Sequence, residues 1–331
     1  MPTIPLYSRD AHPDEWHHVT APGGYEWWYF QAQSLADGRI ITARMSIGLP
    51  FDPEYVRRYL RYRRHPTRVP PPRPGDFLET RLTVVRGGIV EHDCMVRPMP
   101  DELDASVNGR GVRIGQSGFD GSQLSLRGTD RVGRAISARL HFRPRAAAES
   151  VEREFMQRSF AGAEHRWIVA GARCDVEGQV QVDGAATAFA GVGYHDHHYG
   201  TNLPAQDALR WFHGRAMGED GSWCVSFHHV QPRNRRADPE FHLIEINESG
   251  VARESKVGTN DVVWQYPMSR GALPKYPSEA RFGSALHLTD GRGISASKWD
   301  VQAMYNAEYR GKRGRALCTM IYPRRLRGFW H

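Results

Sequence analysis

Short runs of apolar and alternating residues, each closed by an Asp-Gly or Gly-Gly pair, recur along all 331 residues of the chain. An aromatic run at 25–32 meets Asp37-Gly38-Arg39 and then an apolar run at 40–47. Residues 81–86 and 89–96 flank Gly87-Gly88, and residues 123–127 precede 136–142. Glu177-Gly178 separates 166–176 from 179–182, and Asp183-Gly184 follows. The second half repeats the style. Residues 209–216 and 223–230 flank Glu219-Asp220-Gly221, residues 241–247 lead to Glu248-Ser249-Gly250, and residues 285–288 lead to Asp290-Gly291-Arg292-Gly293. Such pairs suit the tight turns that match strand twist. The expected fold class is all-β, with antiparallel sheets forming barrels or sandwiches. Helical periodicity is nearly absent, and residues 146–157 are the best candidate for a short helix.

The length suits two domains. A polar link at 201–207 divides the chain into an N-terminal β-domain, 1–203, and a C-terminal one, 204–331. Pro66, Pro70, Pro71, Pro72 and Pro74 make 63–75 an extended loop within the first domain. No apolar run reaches the roughly eighteen residues of a membrane-spanning helix, and the first residues lack the pattern of a signal peptide. Cys94, Cys174, Cys224 and Cys318 have no paired spacing, so they are expected to be reduced and mostly buried in a cytoplasmic protein. The net charge is +7, and arginine supplies nearly all of the 44 basic residues. The densest basic segment, 57–64, interleaves arginine with tyrosine and is expected to be a solvated loop rather than a nucleic-acid patch. It also offers a basic lid for peripheral contact with an anionic membrane.

The chemistry concentrates at Tyr194-His195-Asp196-His197-His198-Tyr199-Gly200, directly after the apolar run 188–193. On a strand, Tyr194, Asp196 and His198 take one face and His195, His197 and Tyr199 the other. A carboxyl beside a phenol and apolar sequence can stay protonated near neutral pH and donate that proton to an apolar substrate. The bland use of Asp196 is to satisfy backbone donors at a turn. Two further clusters flank it. His165-Arg166-Trp167 sets an imidazole and an indole on one face, suited to an apolar pocket or a passing cation, or to plain core packing. Glu26-Trp27-Trp28-Tyr29-Phe30 is aromatic on both faces, as in a strand between a core and a cavity.

A metal site is the competing reading of these histidines. His195 and His197, completed by His165 or by His228-His229, offer imidazoles without a strong zinc spacing, so no metal is expected. Gly191-Val192-Gly193 runs into Tyr-His-Asp rather than into a helix, so it is no dinucleotide fingerprint. No phosphate loop or Ser-His-Asp elbow is present. The expected cofactor complement is none.

The ordered motifs at 25–30, 193–200 and Trp211-Phe212-His213-Gly214-Arg215 resemble the carotenoid 1,2-hydratase-like superfamily. That group also holds AttH-like proteins, kievitone hydratase and fungal decalin-forming Diels–Alderases. The resemblance spans nearly the whole chain and implies two lipocalin-like β-domains with an apolar pocket at or near their interface. It places the catalytic pairs on Tyr194 and Asp196 and on His165 and Trp167, with Trp27, Trp28, His197, His198, Tyr199 and Trp211 about the substrate. The implied activity is that of a hydro-lyase or cyclase taking a hydrophobic small molecule, an isoprenoid or other polyene. A cyclase working by preorganisation alone and a hydrophobe carrier are the competing classes. Where relatives often carry Asn-Trp after the His-Asp-His element, this chain has His198-Tyr199.

Overall fold

The computed structural model describes residues 13–105, 111–145, 151–155, 165–233, 240–246, 252–255, 261–266 and 275–326. Strand dominates at 61%, against 10% helix, in two curled antiparallel half-barrel sheets. The chain divides into two compact units, Met1–Arg86 with Glu91–Leu203, and Gly87–Val90 with Pro204–His331.

The first sheet contains β1 (Tyr25–Ser34), β2 (Ile40–Ile47), β3 (Leu78–Arg86), β4 (Ile89–Val96), β5 (Leu103–Asp104) and β6 (Val112–Ile114). It continues with β7 (Ser117–Phe119), β8 (Gln123–Thr129), β9 (Ala135–Pro144), β10 (Val151–Phe155), β11 (His165–Val182) and β12 (Ala185–Gly200). Its order is β4-β3-β2-β1-β12-β11-β9-β8-β7-β6-β5, with β10 against β11. The first and last strands of the unit thus pair with each other. The second sheet holds β13 (Ala208–Gly218), β14 (Cys224–Pro232), β15 (Glu240–Ile246), β16 (Ala252–Ser255) and β17 (Val262–Gln265). It is completed by β18 (Glu279–Phe282), β19 (Leu286–Ala296), β20 (Asp300–Tyr309) and β21 (Lys312–Ile321). Its order, β16-β15-β14-β13-β21-β20-β19-β18-β17, again sets first strand beside last.

Each unit has its own apolar core. Trp28, Phe30, Met45, Leu82, Leu140 and Phe142 are among the buried residues of the first, and Phe212, Phe227, Phe282 and Leu288 of the second. Burial of each such side chain contributes roughly 1.5–3 kcal/mol. Cys94, Cys174, Cys224 and Cys318 are all buried, and none forms a disulfide. Among the described residues no helix is long and apolar enough to cross a membrane.

Several expected turns occur where the Gly pairs lie. Asp183 and Gly184 both have positive φ, +48° and +83°, and close the β11–β12 hairpin. Three expectations are corrected. Glu177-Gly178 is no turn: it lies inside β11, where a Cβ on Gly178 would stand 2.0 Å from the Arg139 carbonyl oxygen. Asp290-Gly291 lies within β19 at a register shift between Thr289 and Arg292, a bulge rather than a hairpin end. The candidate helix at 146–157 is a strand over Val151–Phe155, paired with β11 from Val169 to His165; its remaining residues, like the turn at 248–250, lie outside the described ones.

Among the described residues, an α-helix of the first unit lies elsewhere, at α1 (Pro53–Arg64), within a segment expected to be loop. Asp52 caps it by accepting from the backbone N–H of Glu54 and Tyr55, and Pro53 takes the first helical position. Its buried stripe is Tyr55, Val56 and Tyr59, while Arg58, Arg61, Arg63 and Arg64 are exposed. The Tyr55 hydroxyl donates to the Gly24 carbonyl and the Tyr59 hydroxyl to Asn202 Oδ1, each at 2.6 Å. The helix thereby pins both the entry to β1 and the exit from β12.

Candidate active site

Strand β12 sorts its side chains between two faces. Phe30 and Trp28 belong to the first unit's core and stand opposite His195 and His197 on the β1–β12 ladder. Their rings stack at 4.3 Å and 4.5 Å. By alternation, Tyr194, Asp196 and His198 occupy the face turned away from that core, opposite Gln31, Tyr29 and Trp27. Gly193 permits the approach. A Cβ there would lie 2.4 Å from Val176 Cγ2 and 2.9 Å from Phe142 Cε1.

The Asp196 carboxyl accepts two hydrogen bonds at Oδ2. Tyr194 O–H donates to Oδ2 at 2.8 Å and Trp167 Nε1–H donates at 3.0 Å. His198 Nε2 stands 3.4 Å from the same atom. Tyr194, Trp167, His198 and Asp196 are all buried. Trp167 sits directly across from His198 on β11, and the ladder then shifts register between Val169 and Cys174. Bulges of this kind re-aim neighbouring side chains.

His198 lies between two indoles, stacked on Trp27 at 4.6 Å and facing Trp167 at 6.2 Å. Its Nδ1 is 3.2 Å from His165 Nε2, and His165 Nδ1 is 2.6 Å from the Tyr25 hydroxyl. One consistent assignment has every donor pointing the same way. Tyr25 O–H donates to His165 Nδ1, His165 Nε2–H to His198 Nδ1, and His198 Nε2–H toward Asp196 Oδ2. The result is a hydrogen-bonded line of two neutral imidazoles ending on a carboxyl. With Oδ2 accepting, a proton carried by the neutral acid belongs on Oδ1.

The core-side face carries a different set. His195 Nε2 meets Asp14 Oδ1, and its Nδ1 donates to the Tyr29 carbonyl at 3.2 Å. Burial would lower the His195 pKa, but the Asp14 carboxylate outweighs it and the net shift is upward. His197 Nδ1 donates to the Pro13 carbonyl at 2.9 Å, and its Nε2 meets Glu26 Oε1 at 2.9 Å. Burial would raise the Glu26 carboxyl, but hydrogen bonds from His17 and His197 bring it below its ordinary value.

Asp196, Tyr194, Trp167 and His165 are thus brought together, with Trp27 and His198 beside them. Trp28, His197 and Tyr199 do not share that face; Tyr199 stacks on His17 at 3.8 Å. Trp211 lies on β13 of the second unit, where its indole N–H donates to His228 Nδ1 at 3.1 Å. His165 is on the opposite side of the sheet from His195 and His197, so those three cannot share an ion. Tyr25, Asp14 and His17 were missed, because their partners are nine to 181 positions away. Glu26 did carry a signal, as a lone carboxyl in an aromatic strand. An open cleft of about 440 Å³ in the second unit is lined by Leu209, Arg210, Gln231, Tyr322, Arg324 and Arg325, none of them singled out by sequence.

The two half-barrels define the class: an all-β fold shared with an AttH-like protein, a hydratase and CghA. An AttH-like protein of Nitrosomonas europaea superposes with a TM-score of 0.59 at 11% identity, covering 97% of this chain and 100% of that one. Kievitone hydratase of Nectria haematococca gives 0.53 at 10% identity, covering 97% and 98%. CghA gives 0.53 at 10%, covering 96% and 94%. In sequence, the chain is 28% identical over 232 residues to hydroxyneurosporene dehydrogenase of Chlorobaculum tepidum. That match takes in 63% of this chain and spans 58% of the length of the relative. No family model matches the chain. These likenesses agree with the resemblance to the carotenoid 1,2-hydratase-like and AttH-like group.

Proposed function

We propose that this protein is a hydratase or cyclase that starts its reaction by protonating an alkene from Asp196, on an isoprenoid or similar hydrophobic polyene. The observation that carries the reading is the pair of donors, a phenol and an indole, on Oδ2 of the buried Asp196 carboxyl. Tyr194 and Trp167 hold Oδ2, so Oδ1 is the position from which a proton can leave. The proton adds to the terminal alkene carbon, its electron pair forms the new C–H bond, and a tertiary cation results. The indole of Trp167 offers negative π density to such a cation.

Water then adds to the cation and gives a tertiary alcohol. Its surplus proton goes to the Tyr25 oxygen as the Tyr25 hydroxyl proton passes to His165 Nδ1, the His165 Nε2 proton to His198 Nδ1 and the His198 Nε2 proton to Asp196 Oδ2, which is again the neutral acid. If an internal alkene quenches the cation, the product is a ring, and the proton lost from the neighbouring carbon follows the same route. The sequence relative is named for a hydroxylated carotenoid and one fold relative for a hydration, which supports both the substrate class and the water quench. The dehydrogenase name is not carried over. Gly191 and Gly193 lie inside β12, not at the start of a helix that could cradle a pyrophosphate.

The test is turnover of a terminal polyene in D₂O, with deuterium sought at the carbon beside the new bond. Asp196→Asn keeps the shape and should lower turnover by about a hundredfold or more. Full activity of that variant, or product without solvent deuterium, would replace the acid with a cyclase acting by preorganisation alone.

A further inference from the structure

We propose that His17, Glu26 and His197 form a binding site for a divalent transition metal ion of the zinc class, on the face of β12 opposite Asp196. One ligand atom from each lies within 4.8 Å of the other two. Glu26 Oε1 is 3.2 Å from His17 Nδ1 and 2.9 Å from His197 Nε2. Ligand bonds of about 2.0–2.2 Å in tetrahedral geometry set neighbouring ligand atoms roughly 3.4 Å apart, so small side-chain shifts would admit an ion.

The hydrogen bonding of the cluster is incomplete in a way that a cation would resolve. The Pro13 carbonyl can only accept, so His197 Nδ1 donates to it and Nε2 is the nitrogen that an ion would use. Nε2 lies 2.9 Å from Glu26 Oε1, where an ion would take the place of the shared proton. Glu26 Oε1 also receives the His17 backbone N–H at 2.8 Å. Its twin, Oε2, is buried and has no hydrogen-bond partner among the described residues, in a residue only 1% exposed. A carbonyl holding the far nitrogen of a histidine is the usual outer support of a metal ligand. His17 is 23% exposed and gives the ion a path from solvent. Two imidazoles and one carboxylate select zinc-class ions over calcium or magnesium.

The consequence is structural. Residues 13–17 lie against the core-side histidines, where Asp14 meets His195 and the Asp14 carbonyl accepts from Trp28 Nε1 at 3.3 Å. An ion at this site would fasten that segment to β1 and β12 together. It takes no part in the chemistry proposed for Asp196, and the two proposals fail independently.

The experiment uses the full chain, stripped with a chelator, dialysed and titrated calorimetrically with ZnCl₂, with Co²⁺ as the spectroscopic probe. One equivalent should bind per chain, Co²⁺ should show the visible bands of a low-coordinate nitrogen–oxygen site, and the melting temperature should rise with zinc. Loss of a direct ligand in His17→Ala should weaken binding by more than about a hundredfold. Glu26→Gln should do the same, and far-UV circular dichroism reports whether each variant is folded. His17 is on the surface, so its variant remains informative if Glu26→Gln does not fold. No stoichiometric zinc, or zinc bound equally well by folded His17→Ala, would overturn the site.

Discussion

The Tyr194 hydroxyl and the Asp196 carboxyl sit two residues apart on one face of β12, and their 2.8 Å hydrogen bond ends on Oδ2. A phenol held this way makes Oδ2 an acceptor, and the proposed mechanism then puts the acid proton on Oδ1. The two residues should therefore act as a unit. Tyr194→Phe is expected to lower turnover about tenfold, less than Asp196→Asn. The double variant should be no slower than Asp196→Asn alone, because the phenol acts through the carboxyl. Steady-state rates of the three variants check this, and additive losses would separate the pair.

His198 bridges His165 and Asp196, so its loss should affect the return of the proton more than its delivery. In His198→Gln, a first turnover under single-turnover conditions should stay within about threefold of the parent, while steady-state turnover falls by about tenfold or more. Equal losses in both regimes would give His198 a packing role instead.

Much of this arrangement was legible from period two alone. Alternation across 194–199 separated Tyr194, Asp196 and His198 from His195, His197 and Tyr199, and the ladder with β1 keeps that separation. Alternation says nothing about what each face meets. That His195 and His197 turn toward the core, each closed by an acid from near the chain start, depends on contacts over 181 and 171 positions. The helix α1 escaped for a local reason. It buries only Tyr55, Val56 and Tyr59, and the arginines between them blur the apolar stripe. Gly178 misled in the opposite direction, as a glycine needed for strand approach has the same signature as one needed for a turn.

Acid should weaken the first unit through Glu79. Burial would raise its carboxyl, but Arg44 at 2.5 Å and Arg97 at 3.2 Å bring it below 4.5. A carboxyl depressed on folding adds stability above its unfolded value, and that stability is lost as pH falls through the folded value. Glu79→Gln should cost about 1–2 kcal/mol at pH 7, since both arginines are partly exposed. The gap between parent and variant should close below about pH 4.5 in urea titrations. A gap independent of pH would contradict this.

The second unit has its own pH response at His229. Burial first, and then the Arg210 charge, push its imidazole down to about 4. The unfolded chain takes up this proton below about 6.5, so stability present above that pH declines as pH falls toward 4. The Trp264 ring lies 5.5 Å away, and its fluorescence offers a local readout. His229→Gln should flatten the slope between pH 6.5 and 4. An unchanged slope would assign the response to other groups.

Gly193→Ala should destabilise the first unit by about 1–3 kcal/mol through overpacking against Val176 and Phe142. Thermal melts measure the loss. A variant as stable as the parent would mean that the β11–β12 ladder relaxes more readily than its packing implies.

The hairpin closed by Asp183 and Gly184 carries His165 and Trp167 on one arm and Tyr194, Asp196 and His198 on the other. In the proposed mechanism the acid, its two donors and the two imidazoles therefore belong to one stretch of sequence, 165–200, whose internal register is set by its own turn. Mutation in the surrounding strands can reshape what the substrate meets without uncoupling the acid from its partners. A lineage could thus change the molecule it consumes many times over while passing on the same few proton-handling atoms.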